Sequence, residues 1–309
     1  MLELQNPFPP NVRTLGVFAP AGIPDAARYE RGLARLRAWG LELVLACPQQ
    51  PERFLSAPDA QRAAALNSLV CDPRIDLLLA ARGGYGCGRL LDRVDFQALQ
   101  RRGLTLVGYS DITALHIVAF ARGARVHVAG PMVCSALARH PADDGEARAL
   151  AVVLESLRQV LAGEPITVSA ALQTLRAGTA TGPLLPANLS VLTSLVGTPF
   201  SPDLTGVILV LEDVGEAAYR VDRYLNQLAQ AGCLRQLAGL VYGQFTEGDD
   251  AHWLPDVLAD FAPQIPGPVV SGLEFGHGFP SLSLPVGRPC QLTATASGAR
   301  LEIAAAAPP

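Results

Sequence analysis

Through the first half of the chain, short apolar runs alternate with longer stretches whose apolar positions recur at helical spacing. The runs at residues 14–19, 41–45, 75–81, 105–108 and 126–129 have the length and apolar content of buried strands. The intervals predict helices, as at 25–39, where Leu33, Leu36 and Trp39 fall at helical spacing. Such alternation implies βα units on a parallel sheet, a doubly wound α/β domain that binds ligands beyond the carboxyl ends of its strands. A helical pattern over about 143–161 and the breaker Ala162-Gly163-Glu164-Pro165 then mark a change of texture. Beyond it come strand patterns at 166–169 and 206–211, Gly/Pro turns, a helix at 217–231 and a strand-rich end around 269–295. The expected division is an N-terminal α/β domain over 1–150 and an α+β domain over 165–309. The Ala/Pro tail reads as frayed.

Composition narrows the chemistry. The 309 residues are 50% hydrophobic and 17% charged, which excludes disorder, collagen and coiled coil and fits two domains at ~150 residues each. All 24 basic residues are Arg. Without lysine there is no Walker P-loop, no Schiff base and no Ser–Lys dyad. A net charge of −4 lacks the basic footprint of a nucleic-acid binder. Six cysteines, Cys47, Cys71, Cys87, Cys134, Cys233 and Cys290, carry no C-x-x-C spacing and read as buried reduced thiols. No apolar run reaches the ~18 residues of a membrane span, and the N-terminus lacks a basic segment followed by an apolar one. The expected setting is soluble and cytoplasmic.

Candidate chemistry collects at loops after strands. In Leu104-Thr105-Leu106-Val107-Gly108-Tyr109-Ser110-Asp111-Ile112 an apolar strand turns directly into a helix, with Ser110 at the corner. A nucleophile would project there, and the helix N-terminus would favour developing negative charge. Ile112 stands where the G-x-S-x-G form has its second glycine, and a helix N-cap at Ser110 or Asp111 is the competing reading. Upstream, Arg82-Gly83-Gly84-Tyr85-Gly86-Cys87-Gly88 follows another strand and offers backbone N–H groups for a phosphate or an oxyanion. Arg82, with Gly83 and Tyr85, is the candidate for binding substrate, its guanidinium suited to an anionic group.

A serine nucleophile needs a base. His116 and His127 fall inside a helix and a strand and read as structural, while His140 and His252 read as solvated. His277 lies between Gly276 and Gly278 in a loop able to aim an imidazole. Orienting it requires a carboxylate. Glu212, Asp213 and Glu216 end an apolar strand, and Glu212 is nearest to it. Cys134 lacks an elbow and ranks below Ser110. No metal-ligand spacing occurs, and neither metal nor cofactor is expected.

Taken in order, Phe18-Ala19-Pro20-Ala21-Gly22, Arg82-Gly83-Gly84-Tyr85-Gly86, Gly108-Tyr109-Ser110-Asp111-Ile112-Thr113-Ala114-Leu115-His116, Gly130-Pro131-Met132, Leu211-Glu212-Asp213-Val214-Gly215-Glu216, Gly276-His277-Gly278 and Leu284-Pro285-Val286-Gly287 resemble the serine LD-carboxypeptidase family. The resemblance runs from about residue 14 to 290. Ala21 departs from it, standing where the family pattern has Ser.

The resemblance implies a triad of Ser110, Glu212 and His277 and an oxyanion hole from the amides of Gly84 and Asp111. It also implies a flavodoxin-like N-terminal domain, a swivelling β-rich C-terminal domain and a homodimer. The implied substrate is the murein tetrapeptide, cut between the L-centre of its diamino acid and the terminal D-Ala during peptidoglycan recycling. The microcin C immunity branch, which cleaves peptidyl-nucleotides, is the alternative; its support would be an aromatic cluster for a base, which the sparse aromatics of the sequence do not suggest. A non-enzymatic ligand-binding protein is the reading from another class.

Overall fold

The computed structural model describes residues 4–48, 50–123, 127–169 and 171–307. Val126, the predicted start of one strand, and the last two prolines of the tail lie outside them. The chain divides into two compact units, one of residues 1–162 and 282–284, the other of residues 163–281 and 285–309.

The first unit alternates as the pattern predicts: β1 (Thr14–Phe18), α1 (Ala26–Ala38), β2 (Glu42–Ala46), α2 (Asp59–Cys71), β3 (Leu77–Ala80), α3 (Phe96–Arg102), β4 (Thr105–Gly108), α4 (Thr113–Ala121), β5 (Val128–Ala129) and α5 (Asp144–Leu161). Asp25, Asp95 and Asp143 close the starts of α1, α3 and α5 by accepting from backbone N–H groups, which satisfies donors that a helix leaves orphaned. The five strands are parallel in the order 2-1-3-4-5, the flavodoxin-like winding. β1 and β3 are buried throughout, so their largely apolar sequence reflects helices on both faces. The order reverses between β1 and β3, and the loops that leave these two strands meet there, Gly22 N–H donating to Gly83 O at 3.2 Å.

Side-chain bonds stand beside the short β4–β5 ladder. Leu106 N–H of β4 donates to His127 Nδ1 at 3.1 Å, and His116 Nε2 donates to Leu106 O at 3.3 Å. The two buried rings stack 6.0 Å apart, which bears out the structural reading of both histidines. His140 and His252 are exposed, also as expected.

The second unit holds β6 (Ile166–Val168), β7 (Gln173–Arg176), β8 (Gly178–Asn188), α6 (Leu189–Leu195), β9 (Ile208–Val214), α7 (Ala218–Gln230), β10 (Gly239–Thr246), α8 (Leu254–Phe261), β11 (Val269–Ser271), β13 (Pro289–Thr295) and β14 (Gly298–Ile303); β12 (Leu284–Pro285) joins the first sheet beside β5. Its sheet runs β6-β14-β13-β8-β9-β10-β11-β7, with β8 to β11 parallel and the outer pairs antiparallel. The strand-rich end is therefore interrupted: residues 272–283 form an irregular loop after β11, and His277 lies in it.

All six cysteines are free. Four are buried as expected, but Cys47 is half-buried and Cys71 exposed. Cys71 ends α2 beside Leu69 and Val70, one position past the stripe that faces the core.

Candidate active site

Ser110 stands two residues past the end of β4 at φ +65°, left-handed backbone that a non-glycine residue adopts at a cost. The corner has the backbone shape of a nucleophile elbow though not its sequence. Neither Ser110 nor Asp111 caps α4: Ile112 holds the cap position without a side-chain bond. Asp111 instead turns inward, and its buried carboxylate accepts from Cys87 N–H at 2.7 Å. Burial pushes the Asp111 carboxyl up, and the Cys87 backbone bond partly offsets this. That bond ties the elbow to the glycine loop.

The loop approaches the serine at Gly83. A Cβ there would lie 2.8 Å from Ser110 Oγ and 3.3 Å from the Asp111 nitrogen, so only glycine allows this contact. The next peptide N–H belongs to Gly84. Arg82 is held by its own surroundings, Nε donating to Gly83 O at 3.1 Å and Nη1 to Ile23 O at 2.9 Å. Among the described residues it pairs with no carboxylate. A cleft of about 640 Å³ opens here, lined by Gly22, Ile23, Phe54, Arg82, Gly84 and Tyr85. Phe54 and Tyr85 meet edge to face, ring centroids 5.5 Å apart. This aromatic pair, far apart in sequence, corrects the expectation that no aromatic cluster exists.

Beneath the loop lies a residue that sequence reasoning passed over. Arg62 is fully buried and donates to Ala57 O at 2.9 Å, to Gly86 O at 3.0 Å and to Pro20 O, while pairing with Asp59. Asp59 also pairs with Arg89 at 2.7 Å. One guanidinium thus binds backbone from three loops. Its signal in the sequence is faint, an Arg on the inner face of a helix otherwise lined by Ala, Leu and Val.

In the second unit, Glu212 sits in β9 and is 1% exposed. His277 Nδ1 lies 2.6 Å from Glu212 Oε2. β10 bulges between Tyr242 and Phe245, and Gln244 N–H in that bulge donates to Phe275 O at 2.8 Å, two residues before the imidazole. Gly276, at φ +139°, passes close enough that a Cβ would lie 3.0 Å from Glu212. Burial alone would lower the His277 pKa; the Glu212 hydrogen bond and charge outweigh it and leave the group raised. Burial likewise raises Glu212, opposed by His277 and Asn188.

Asn188 is the second residue missed. It ends β8 opposite Glu212, is buried, and donates to Glu212 Oε1 at 3.1 Å and to Asp213 Oδ1 at 2.9 Å. Its own oxygen accepts from Val191 N–H and starts α6. Asp213 turns to the backbone, accepting from Ser190 N–H at 2.8 Å and Val214 N–H at 2.9 Å, and Glu216 meets Arg220. Of the three carboxylates, it is Glu212 that bonds His277 Nδ1. Among the described residues no group of three or more His, Cys, Asp or Glu stands together as a metal site, and no helix is long and apolar enough to cross a membrane.

Two family models match the chain, the LD-carboxypeptidase N-terminal domain over residues 15–130 and the LD-carboxypeptidase C-terminal domain over residues 181–292. The murein tetrapeptide carboxypeptidase of Pseudomonas aeruginosa is 33% identical over 298 residues, covering 93% of this chain and 94% of that protein. Among solved structures, the muramoyltetrapeptide carboxypeptidase from Oxalobacter formigenes superposes with a TM-score of 0.84 at 29% identity, covering 94% of this chain and 98% of the other. The microcin C7 self-immunity protein MccF shares the fold, with a TM-score of 0.85 at 22% identity over 99% of both chains.

Proposed function

The chain belongs to the LD-carboxypeptidase family and is a serine carboxypeptidase, and from that premise we propose that it releases the terminal D-Ala from murein tetrapeptide, cutting after the L-centre of the diamino acid. Glu212 accepts from His277 Nδ1–H, which leaves the Nε2 lone pair to take the proton of Ser110. Ser110 Oγ attacks the carbonyl, and the amides of Gly84 and Asp111 hold the oxyanion. His277 returns the proton to the leaving amine, D-Ala departs, and water, deprotonated by His277, hydrolyses the acyl ester. The Arg82 guanidinium takes the terminal carboxylate, with Gly83 and Tyr85 beside it. The reaction belongs to peptidoglycan recycling in the cytoplasm, carried out by a homodimer.

The observation that carries this reading is the 2.6 Å contact between His277 Nδ1 and a Glu212 that is 1% exposed. A buried carboxylate bonded to an imidazole that keeps some exposure is what a hydroxyl nucleophile requires. A second reading, cleavage of a peptidyl-nucleotide, draws on the exposed Phe54–Tyr85 pair, whose faces suit a base. Mass spectrometry of the tetrapeptide incubated with wild type and Ser110→Ala tests both. Tripeptide and free D-Ala from the wild type alone are expected; no release by either protein, with a nucleotide freed from a peptidyl-nucleotide instead, would overturn the muropeptide reading.

A further inference from the structure

Three loops that follow the adjacent strands β2, β1 and β3 converge on the cleft beside Ser110 and contribute Phe54, Ile23 and Arg82 with Tyr85. The aromatic pair is unusually open, Phe54 being 59% and Tyr85 55% exposed, with Ile23 at 40%. Contiguous exposed apolar side chains around a cleft mark a binding surface. Phe54 is also held firmly. It lies in a tight turn closed by reciprocal bonds between Glu52 and Leu55, at 3.1 and 2.9 Å, with Arg53 in the left-handed region at φ +57°. Ser56 pins the turn to the loop after β1, its N–H donating to Ala21 O at 2.9 Å and its hydroxyl to Ala19 O at 2.6 Å.

On the other wall, Arg82 brings a guanidinium that has two backbone partners and, among the described residues, no carboxylate. A cation held in place without a counter-ion, next to apolar rings, recognises a ligand with one anionic end and an apolar body. Arg82 and Gly84 line the cleft, and Gly83 between them lies against Ser110, so the occupant sits next to the scissile bond. The cleft is open to solvent and leaves room beside Arg82 for a side chain larger than the methyl group of alanine.

We propose that this cleft is the leaving-residue subsite and that it accepts bulky apolar terminal residues, carboxylate on Arg82 and side chain against Phe54 and Tyr85. The assignment rests on the carboxypeptidase reading above for the identity of the leaving group. Calorimetric titration of free D-phenylalanine and D-alanine tests the pocket without hydrolysis. Wild type binds D-phenylalanine at least tenfold more tightly, Phe54→Ala and Tyr85→Ala erase the preference, and Arg82→Gln weakens both ligands. Hydrolysis of tetrapeptides ending in D-Phe or D-Ala is expected to show the ratio of their kcat/KM values falling at least tenfold in Phe54→Ala. Equal affinities, a preference that survives both aromatic substitutions, or Phe54-dependent binding of adenosine monophosphate in place of D-phenylalanine would overturn the proposal. A Phe54→Ala protein that sediments at half the wild-type mass would also overturn it, assigning the pair to a subunit contact. If the amino acids bind as expected but no tetrapeptide is cut, the muropeptide reading fails and the pocket assignment stands.

Discussion

Asn188 and Glu212 face each other in register on the parallel strands β8 and β9, and the Asn188 amide donates to Glu212 Oε1 at 3.1 Å. Glu212 Oε2 is taken by His277, so the two residues together hold a buried carboxylate with both oxygens occupied. Replacing Asn188 by Asp keeps an acceptor for the start of α6 but removes the donor and adds a like charge. A hydrogen bond to a charged group contributes ~1.5–3 kcal/mol, so kcat is expected to fall on the order of tenfold or more while KM changes little. Steady-state kinetics check this; unchanged kcat would show that Glu212 is held without Asn188.

The pH profile follows from the His277–Glu212 pair. His277 must be neutral to accept a proton, and its pKa lies above the ordinary histidine value because Glu212 outweighs burial. The acidic limb of kcat/KM therefore falls above pH ~6.5. In Glu212→Gln the charge is gone and burial remains, so the limb moves to lower pH while the plateau drops by roughly 10⁴-fold. A limb that stays in place would remove Glu212 from the base.

Arg62 supports the glycine loop from below. Its loss leaves the carbonyls of Pro20, Ala57 and Gly86 without their donor and leaves the partly exposed Asp59 to Arg89, an effect of about 1–3 kcal/mol for each buried acceptor left unsatisfied. Arg62→Gln is expected to lower the calorimetric melting temperature of the first unit, and Arg62→Lys, which keeps charge without the fork, to recover only part of it.

The stacked histidines make the first unit sensitive to acid. Burial pushes His116 down to about 4 and His127 to about 3, the latter also repelled by His116. The unfolded chain, at ~6.5, binds these protons first, so their contribution is full above that pH and is lost as pH falls toward 4, by about 1.4 kcal/mol per pH unit per histidine. Urea midpoints between pH 7 and 4 are expected to fall less steeply for a His116→Gln, His127→Gln protein.

Much of this architecture is legible in the residue pattern, since strands buried on both faces and helices with one apolar stripe have distinct periods. Ser110 at a strand-to-helix corner, Glu212 at the end of an apolar run and His277 between glycines stand out in the sequence for the same reason: each punctuates an apolar stretch, although β9 continues past Glu212 to Val214. Arg62 and Asn188 are not, because their partners are backbone carbonyls and a residue on a neighbouring strand, contacts that exist only once the sheet forms. The Phe54–Tyr85 pair escaped for a related reason, since its rings come from loops after different strands. β12 is indistinguishable from the rest of the strand-rich end in the sequence, because periodicity carries no information about which sheet a strand joins.

Ser110 itself is expected to trade stability for activity. Its φ of +65° is left-handed backbone, where a side chain with Cβ costs about 1–3 kcal/mol at sites held by their surroundings. Glycine adopts the same conformation freely, though it gains entropy in the unfolded chain. Ser110→Gly is therefore expected to unfold at higher urea than wild type while losing turnover, and Ser110→Ala, which keeps the Cβ, to lose turnover without gaining stability. Stabilisation of both variants alike would locate the cost in the hydroxyl; destabilisation of Ser110→Gly would show that the elbow is not strained.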